Sequence, residues 1–291
     1  MKFKLYDDVN EFYKDTYEVL LRHEVQNMIL LGNLIIGYQG TDKTDWRDPL
    51  NWVMATVSDQ EKILLTALMT PPFNITLYAT DNIISIEALD CLIAGLSQVY
   101  IPGVVTEKAL ALAFAERYSA IKKISYSICH KQRIYQLERV NQNIDCQGKV
   151  RPVSEKDMSF LPFWDAAFQA AVYGKTEINI PEDSQKAQYR IDSGKIYVLE
   201  VEGTPVSIAG FSRELPTAVG LGFVYTPPYF REKGYASSIV TQLSQMALDR
   251  GYKKCVLYAD LANPVSNSIY MKIGYVPVCD SLMLNFENII V

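Results

Sequence analysis

The sequence predicts a mixed α/β fold arranged in two domains. Its 291 residues correspond to about two domains at a prior of ~150 residues each. Helical and strand periodicities interleave through both halves of the chain. A polar, glycine-containing stretch over residues 141–150 separates the halves, which sets the expected domains at 1–145 and 146–291.

In the first half, residues 24–36 read as a helix, and 51–56 and 62–69 as strands. Leu89, Leu92, Ile93 and Leu96 recur at helical spacing, as do Leu110, Ala113 and Phe114. Residues 133–140 read as a strand. After the boundary, a helical run is expected over 155–171. Residues 195–202 form a strand, and Gly203, Thr204 and Pro205 a turn. Two more strands follow at 206–212 and 218–225. Ala236, Ile239, Val240, Leu243, Met246 and Ala247 then mark one face of a helix that Gly251 stops. Residues 255–258 form a strand. Asn263 and Pro264 open a further helix as cap and first residue, Gly274 ends it, and 275–286 read as a last strand or strand pair.

One internal echo stands out. Leu68-Met69-Thr70-Pro71-Pro72-Phe73 matches Val224-Tyr225-Thr226-Pro227-Pro228-Tyr229, and both strings follow an expected strand. Coincidence and an old duplication both account for it. Aligned on this string, Ile75, Tyr78 and Thr80 stand where the second copy has Arg231, Gly234 and Ala236.

Composition narrows the function. Hydrophobic residues at 49% and charged residues at 21% are those of a folded globular chain. Thirty-three acids against 28 bases give a net charge of −5, which removes the compositional reason to expect nucleic acid and mildly favours a cationic substrate such as an amine. No stretch reads as membrane-spanning and the first residues do not read as a signal peptide, so the expected location is cytoplasmic, with no membrane partner. Cys91, Cys129, Cys146, Cys255 and Cys279 are scattered without a paired spacing, and His23 and His130 are isolated. Neither set forms a disulfide framework or a metal pattern, so no metal is expected.

The chemistry concentrates in Thr226-Pro227-Pro228-Tyr229-Phe230-Arg231-Glu232-Lys233-Gly234-Tyr235-Ala236-Ser237-Ser238, where a strand runs through a short loop into a helix. The first turn of a helix presents unpaired N–H groups and partial positive charge, which suits a phosphate. Gly234 and Ala236 let a bulky anion approach the backbone, and Arg231 and Lys233 add charge. The two prolines favour a break in strand pairing, which frees the main chain of Val224, Tyr225 and Thr226 for an amide-bearing ligand.

Arg231-Glu232-Lys233-Gly234-Tyr235-Ala236 resembles the Arg/Gln-x-x-Gly-x-Gly/Ala signature of the GNAT acetyltransferase superfamily. Residues 263–275 resemble the family's Asn-x-x-Ala/Ser-x-x-Leu/Ile-Tyr-x-x-x-Gly-Phe/Tyr pattern, in the family's order and spacing. The resemblance implies a GNAT fold over 150–288 and, for the first half, a degenerate GNAT-like domain. It also implies acetyl-coenzyme A as cosubstrate, with Val224, Tyr225 and Thr226 binding the pantetheine arm. Arg231, Glu232, Lys233, Gly234, Tyr235, Ala236 and Ser237 would cradle the pyrophosphate, and Asn263 and Asn267 would lie near the pantetheine or its thiol end. Tyr270 matches the tyrosine that protonates the departing thiolate, as a phenol of pKa near 10 can at neutral pH; a core tyrosine below the sheet is the alternative to it.

The implied reaction is N-acetylation of a primary amine, on a small molecule or a peptide, by direct attack in a ternary complex. Many family members carry a Glu on the strand before the signature, and residues 217–226 contain no acid. Asp260 is the first candidate for the base, with Glu214 and Glu200 behind it. The missing acid leaves open a coenzyme A-binding sensor or scaffold with reduced catalysis. Aminoacyl transfer from tRNA is a further alternative, disfavoured by the charge. A homodimer is also compatible with the resemblance. Loops at 160–186 and 213–217 would shape the acceptor pocket, although Phe160, Phe163, Trp164, Phe168 and Tyr173 read as core at their helical spacing.

Overall fold

The computed structural model describes residues 1–40, 48–142, 144–174 and 177–287, with the side chain of Tyr173 outside that set. In it the chain passes twice through one order of elements. The first pass is β1 (Lys2–Tyr6), α1 (Val9–Leu21), α2 (Met28–Gln39), β2 (Val53–Asp59), β3 (Lys62–Met69), β4 (Ile75–Ala79), α3 (Ile86–Gly95), β5 (Gly103–Glu107), α4 (Lys108–Lys122) and β6 (Ser125–Leu137). The second is β7 (Lys149–Pro152), α5 (Leu161–Tyr173), α6 (Ile180–Asp192), β8 (Ile196–Val201), β9 (Thr204–Glu214), β10 (Ala218–Tyr225), α7 (Tyr235–Asp249), β11 (Lys254–Asp260), α8 (Pro264–Ile273) and β12 (Val276–Glu287).

By packing, the chain forms two units: Met1–Tyr135 with Tyr258–Pro264 and Pro277–Val291, and Gln136–Leu257 with Val265–Val276. In the first unit the strand order is β1-β2-β3-β4-β5-β12-β6. Neighbours pair antiparallel from β1 to β4, β4 and β5 pair parallel, and β12 pairs antiparallel with β5. Leu89, Leu92 and Ile93 of α3 and Leu110, Phe114 and Tyr118 of α4 bury against these strands, so the two helical spacings mark core faces as expected. In the second unit the order is β11-β10-β9-β8-β7, again antiparallel except for the parallel pair β10–β11. A parallel pair needs a crossover, and α3 and α7 supply it in their respective units.

Several expected elements shift. The helix expected over 24–36 begins only at Met28, because residues 22–27 form turns after α1. Helix α1 itself had a readable signal: Phe12, Thr16 and Leu20 are buried one turn apart, and Asp8 caps it by accepting the Asn10 amide. The run expected over 155–171 is a short 3-10 turn, Glu155–Ser159, followed by α5. The turn before β9 is Glu202–Gly203, both at positive φ, and Pro205 lies inside β9, opposite Glu200 and beside a register shift that tolerates it. Gly251 and Gly274 end their helices as expected. At Gly274, φ is +119° and a Cβ would lie 2.8 Å from the Arg139 carbonyl oxygen, so only glycine fits without displacement.

The Thr-Pro-Pro echo does not mark equivalent positions. Thr70 follows β3, the third strand of its pass, whereas Thr226 follows β10, the fourth. The twofold order of elements is real, but the strand equivalent to β10 is β4, and the loop equivalent to the glycine signature is the one entering α3. Among the described residues no helix is long and apolar enough to cross a membrane.

Candidate cofactor and acyl-transfer site

Strand β10 is regular at its start and broken at its end. Its parallel ladder with β11 runs from Ala218 opposite Lys254 to Gly220 opposite Val256, and β10 then continues to Tyr225 with its partners on β9. On the β9 side the register breaks between Gly222 and Tyr225. Phe223 sits in that bulge at φ +54°, a left-handed conformation that a bulky residue holds at a cost of about 1–2 kcal/mol. A Cβ added at Gly222 would meet nothing within 4 Å. The Ser207 hydroxyl holds the strand end, 3.1 Å from the Tyr225 carbonyl and 2.8 Å from the Thr226 hydroxyl.

The loop into α7 folds back on itself. The Arg231 amide donates to the Pro228 carbonyl at 3.2 Å and its guanidinium to the Thr226 carbonyl at 3.0 Å. Glu232 lies at φ +62° and Gly234 at φ +80°, which turns the chain sharply into the helix. The first helical bond runs from the Ser238 amide to the Gly234 carbonyl at 2.9 Å, so the amides of Tyr235, Ala236 and Ser237 precede the ladder. Gln147 braces this turn: its side chain donates to the Lys233 carbonyl and its amide to the Ser238 hydroxyl, each at 3.0 Å. Arg231, Lys233 and Gly234 are exposed. The result is a run of unladdered backbone donors at a positive helix end, with the cations Arg231 and Lys233 and the carboxylate of Glu232 in the same turn.

The first unit shows what the same place becomes without these residues. At the start of α3 the Ser85 hydroxyl accepts the Ala88 amide at 3.1 Å and donates to Glu87 at 3.0 Å. Its own backbone amide and the Ser85 hydroxyl hold the Glu87 carboxyl below the usual range. That helix end carries its own anion and repels another. The β3–β4 ladder is unbroken from Leu68–Thr76 to Leu65–Ala79. Beside β4 and β5 the Thr106 hydroxyl donates to the Leu77 carbonyl at 2.5 Å, and the cavity there, of about 20 Å³, has room for about one water.

Within the second unit, Val224, Tyr225 and Thr226 form the strand end, residues 231–237 the helix entry, and Asn267 and Tyr270 lie buried on α8. Tyr270 is 8% exposed and packs edge-on to Tyr275 at 6.0 Å, whose hydroxyl lies 2.8 Å from that of Ser244 on α7. Burial pushes the Tyr270 phenol up to about 12, so it keeps its proton at neutral pH. Asp260 and Asn263 lie in the segment Tyr258–Pro264, which packs with the first unit. There Asp260 accepts the Ala262 amide at 2.8 Å, and both residues are exposed. Glu200 is paired with Arg151 at 2.6 Å and Glu214 with Lys195 at 2.8 Å. Trp164 is buried and Phe160 and Phe168 pack on the same core, as their spacing implied, while Phe163 is exposed. No group of metal-ligating side chains occurs among the described residues. Sequence reasoning missed Phe223, Ser207 and Gln147. The nearest signal was the Pro227-Pro228 pair, which favours a break in strand pairing.

Comparison with known proteins agrees with this geometry. The model of the acetyltransferase (GNAT) family matches residues 163–275. Among solved structures, an acetyltransferase of the GNAT family from Colwellia psychrerythraea aligns over 99% of this chain and 100% of its own, with 13% identity and a TM-score of 0.57. A Drosophila protein aligns over 98% of both chains with 11% identity and a TM-score of 0.64. A GCN5-related N-acetyltransferase from Sphaerobacter thermophilus aligns over 98% of this chain and 95% of its own, with 12% identity and a TM-score of 0.61. At these identities the structures show a shared fold. No curated protein matches the chain. The helix entry after β10, the family match that covers it and the shared fold agree: residues 163–275 form a domain of the GNAT acetyltransferase family.

Proposed function

We propose that the second unit transfers an acetyl group from acetyl-coenzyme A to a primary amine, by direct attack in a ternary complex. The observation that carries this reading is the contrast between the two helix entries. The turn into α7 offers unladdered amides, Gly234 at φ +80° and two exposed cations, whereas the turn into α3 is filled by its own Ser85 and Glu87. One entry is built for an anion and the other against it.

Acetyl-coenzyme A supplies the activated thioester. The amides of Tyr235, Ala236 and Ser237, with Arg231, Glu232, Lys233 and Gly234 shaping the turn, hold the pyrophosphate. The main chain of Val224, Tyr225 and Thr226, freed from β11, takes the pantetheine amides as an added strand would. A strand N–H of β10 stabilises the oxyanion. Tyr270, with its proton retained by burial, donates to the departing sulfur. Asn267, buried on α8, binds near the thiol end. The acceptor is a small-molecule or peptide amine, and a homodimer is compatible with this reading.

One observation favours a second reading, a coenzyme A-binding sensor: β10 carries no acid. A screen of primary amines for thiol release separates the two. Acetyl transfer that Tyr270→Phe slows supports the enzyme. Tight cofactor binding with no transfer to any amine, unchanged by Tyr270→Phe, supports the sensor.

A further inference from the structure

The bulge of β10 is held from outside the strand. Arg190 on α6 forms a two-pronged pair with Asp165 on α5, Nε to Oδ2 at 2.5 Å and Nη2 to Oδ1 at 2.9 Å. Asp165 is 1% exposed, so the pair is anchored in the interior. The Arg190 guanidinium stacks over the Phe223 ring at 3.8 Å. Phe168 meets the same ring edge-on at 4.9 Å. Phe223 is thereby gripped on two sides, at the one residue of β10 whose φ is positive. The next residue is Val224, and beyond it Ser207 fixes Tyr225 and Thr226.

We propose that Arg190, locked by Asp165, is a positioning residue: by stacking on Phe223 it holds the bulge that aims the Val224–Thr226 main chain at the thioester. This purpose rests on the acetyltransferase reading. A left-handed phenylalanine relaxes unless packing over-determines it, and a cation stacked on the ring supplies that packing. The first unit is consistent: β4, the equivalent of β10, keeps an unbroken ladder with β3 through Ala79 and has no bulge to support.

Two variants test the proposal. Arg190→Lys keeps a cation for Asp165 but loses the planar stack and the fork. Asp165→Leu with Arg190→Met removes the buried charges together, an exchange interiors tolerate. Thermal melting checks that both fold. In the ligand-free protein, amide exchange over residues 223–226 should rise at least about tenfold in both variants, with the α7 amides unchanged. With acetyl-coenzyme A labelled with carbon-13 at the thioester carbonyl, the shift of the bound carbonyl signal should shrink while affinity stays within about twofold, because the α7 turn is untouched. Unchanged exchange over 223–226 overturns the positioning role. Increased exchange with an unchanged carbonyl shift overturns its link to the thioester. Wild-type protein that binds no acetyl-coenzyme A overturns the acetyltransferase reading and this purpose with it, while the exchange result still decides whether Arg190 holds the bulge.

Discussion

Replacing Tyr270 with Phe separates a proton donor from an ordinary core tyrosine, because burial gives the hydroxyl two measurable consequences. The folded phenol sits at about 12, against about 10 in an unfolded chain. Between those values the folded protein keeps a proton that the unfolded chain has lost, so stability falls as pH rises. The contribution is fully present below pH ~10 and disappears through pH ~12. Two units correspond to about 2.7 kcal/mol, of which about 2 kcal/mol is lost by pH ~11.5. Urea unfolding of wild type and Tyr270→Phe at about pH 8 and about pH 11.5 reads this directly. Wild type should lose about 2 kcal/mol more than the variant over that interval. Parallel losses would mean that the hydroxyl is solvated and is not held protonated by its site. At neutral pH the variant should bind acetyl-coenzyme A as wild type does and release thiol about 10²–10⁴-fold more slowly, the usual worth of a positioned acid. A variant with wild-type turnover would leave Tyr270 as a core residue and refute the donor role.

Asp157 is 1% exposed and accepts Arg151 at 2.8 and 2.9 Å and the Ser154 amide at 2.8 Å. Asp157→Ala should cost about 3–5 kcal/mol in chemical denaturation. Burial alone would raise the Asp157 pKa, but Arg151 and Ser154 outweigh it and hold it below the usual value. Its contribution is therefore present above the unfolded pKa and lost as pH falls through the folded one, so wild type should lose stability in acid faster than the variant. Gly274→Ala should lower the melting temperature by several degrees, from the +119° φ and the 2.8 Å approach to Arg139, while Gly222→Ala, with open space around it, should fold as wild type. Ser85→Gly with Glu87→Gln should leave acetyl-coenzyme A stoichiometry at one per chain, because residues 80–90 contain no Lys or Arg and the β3–β4 ladder is unbroken.

The parts of the fold that were legible in the sequence are those specified locally. Gly234, the Asn263-Pro264 pair and Gly274 each punctuate a helix through their own backbone preferences, and all three ends stand where those residues place them. Such signals carry the turn into α7 almost whole. The bulge at Phe223 is different. Its φ is set by the β9 register and by Arg190, which stands 33 positions earlier in the sequence, and no residue in 218–225 announces it. The pairing of β12 with β5 is likewise a long-range choice. The Thr-Pro-Pro echo misplaced the equivalence for a related reason. A six-residue string records a strand end and a turn, but not whether the strand is third or fourth in its sheet. Asp260 and Asn263 were grouped with the turn into α7 by motif order, and packing assigns their segment to the first unit.

The central claim is that the turn into α7 binds the cofactor, and calorimetry with acetyl-coenzyme A on wild type and Gly234→Glu tests it most directly. The glutamate puts a side chain at φ +80° and an anion beside the unladdered amides. Micromolar binding by wild type, lost in a Gly234→Glu protein that still melts cooperatively, is the expected result. A folded wild type that does not bind, or equal binding by both proteins, would contradict the claim.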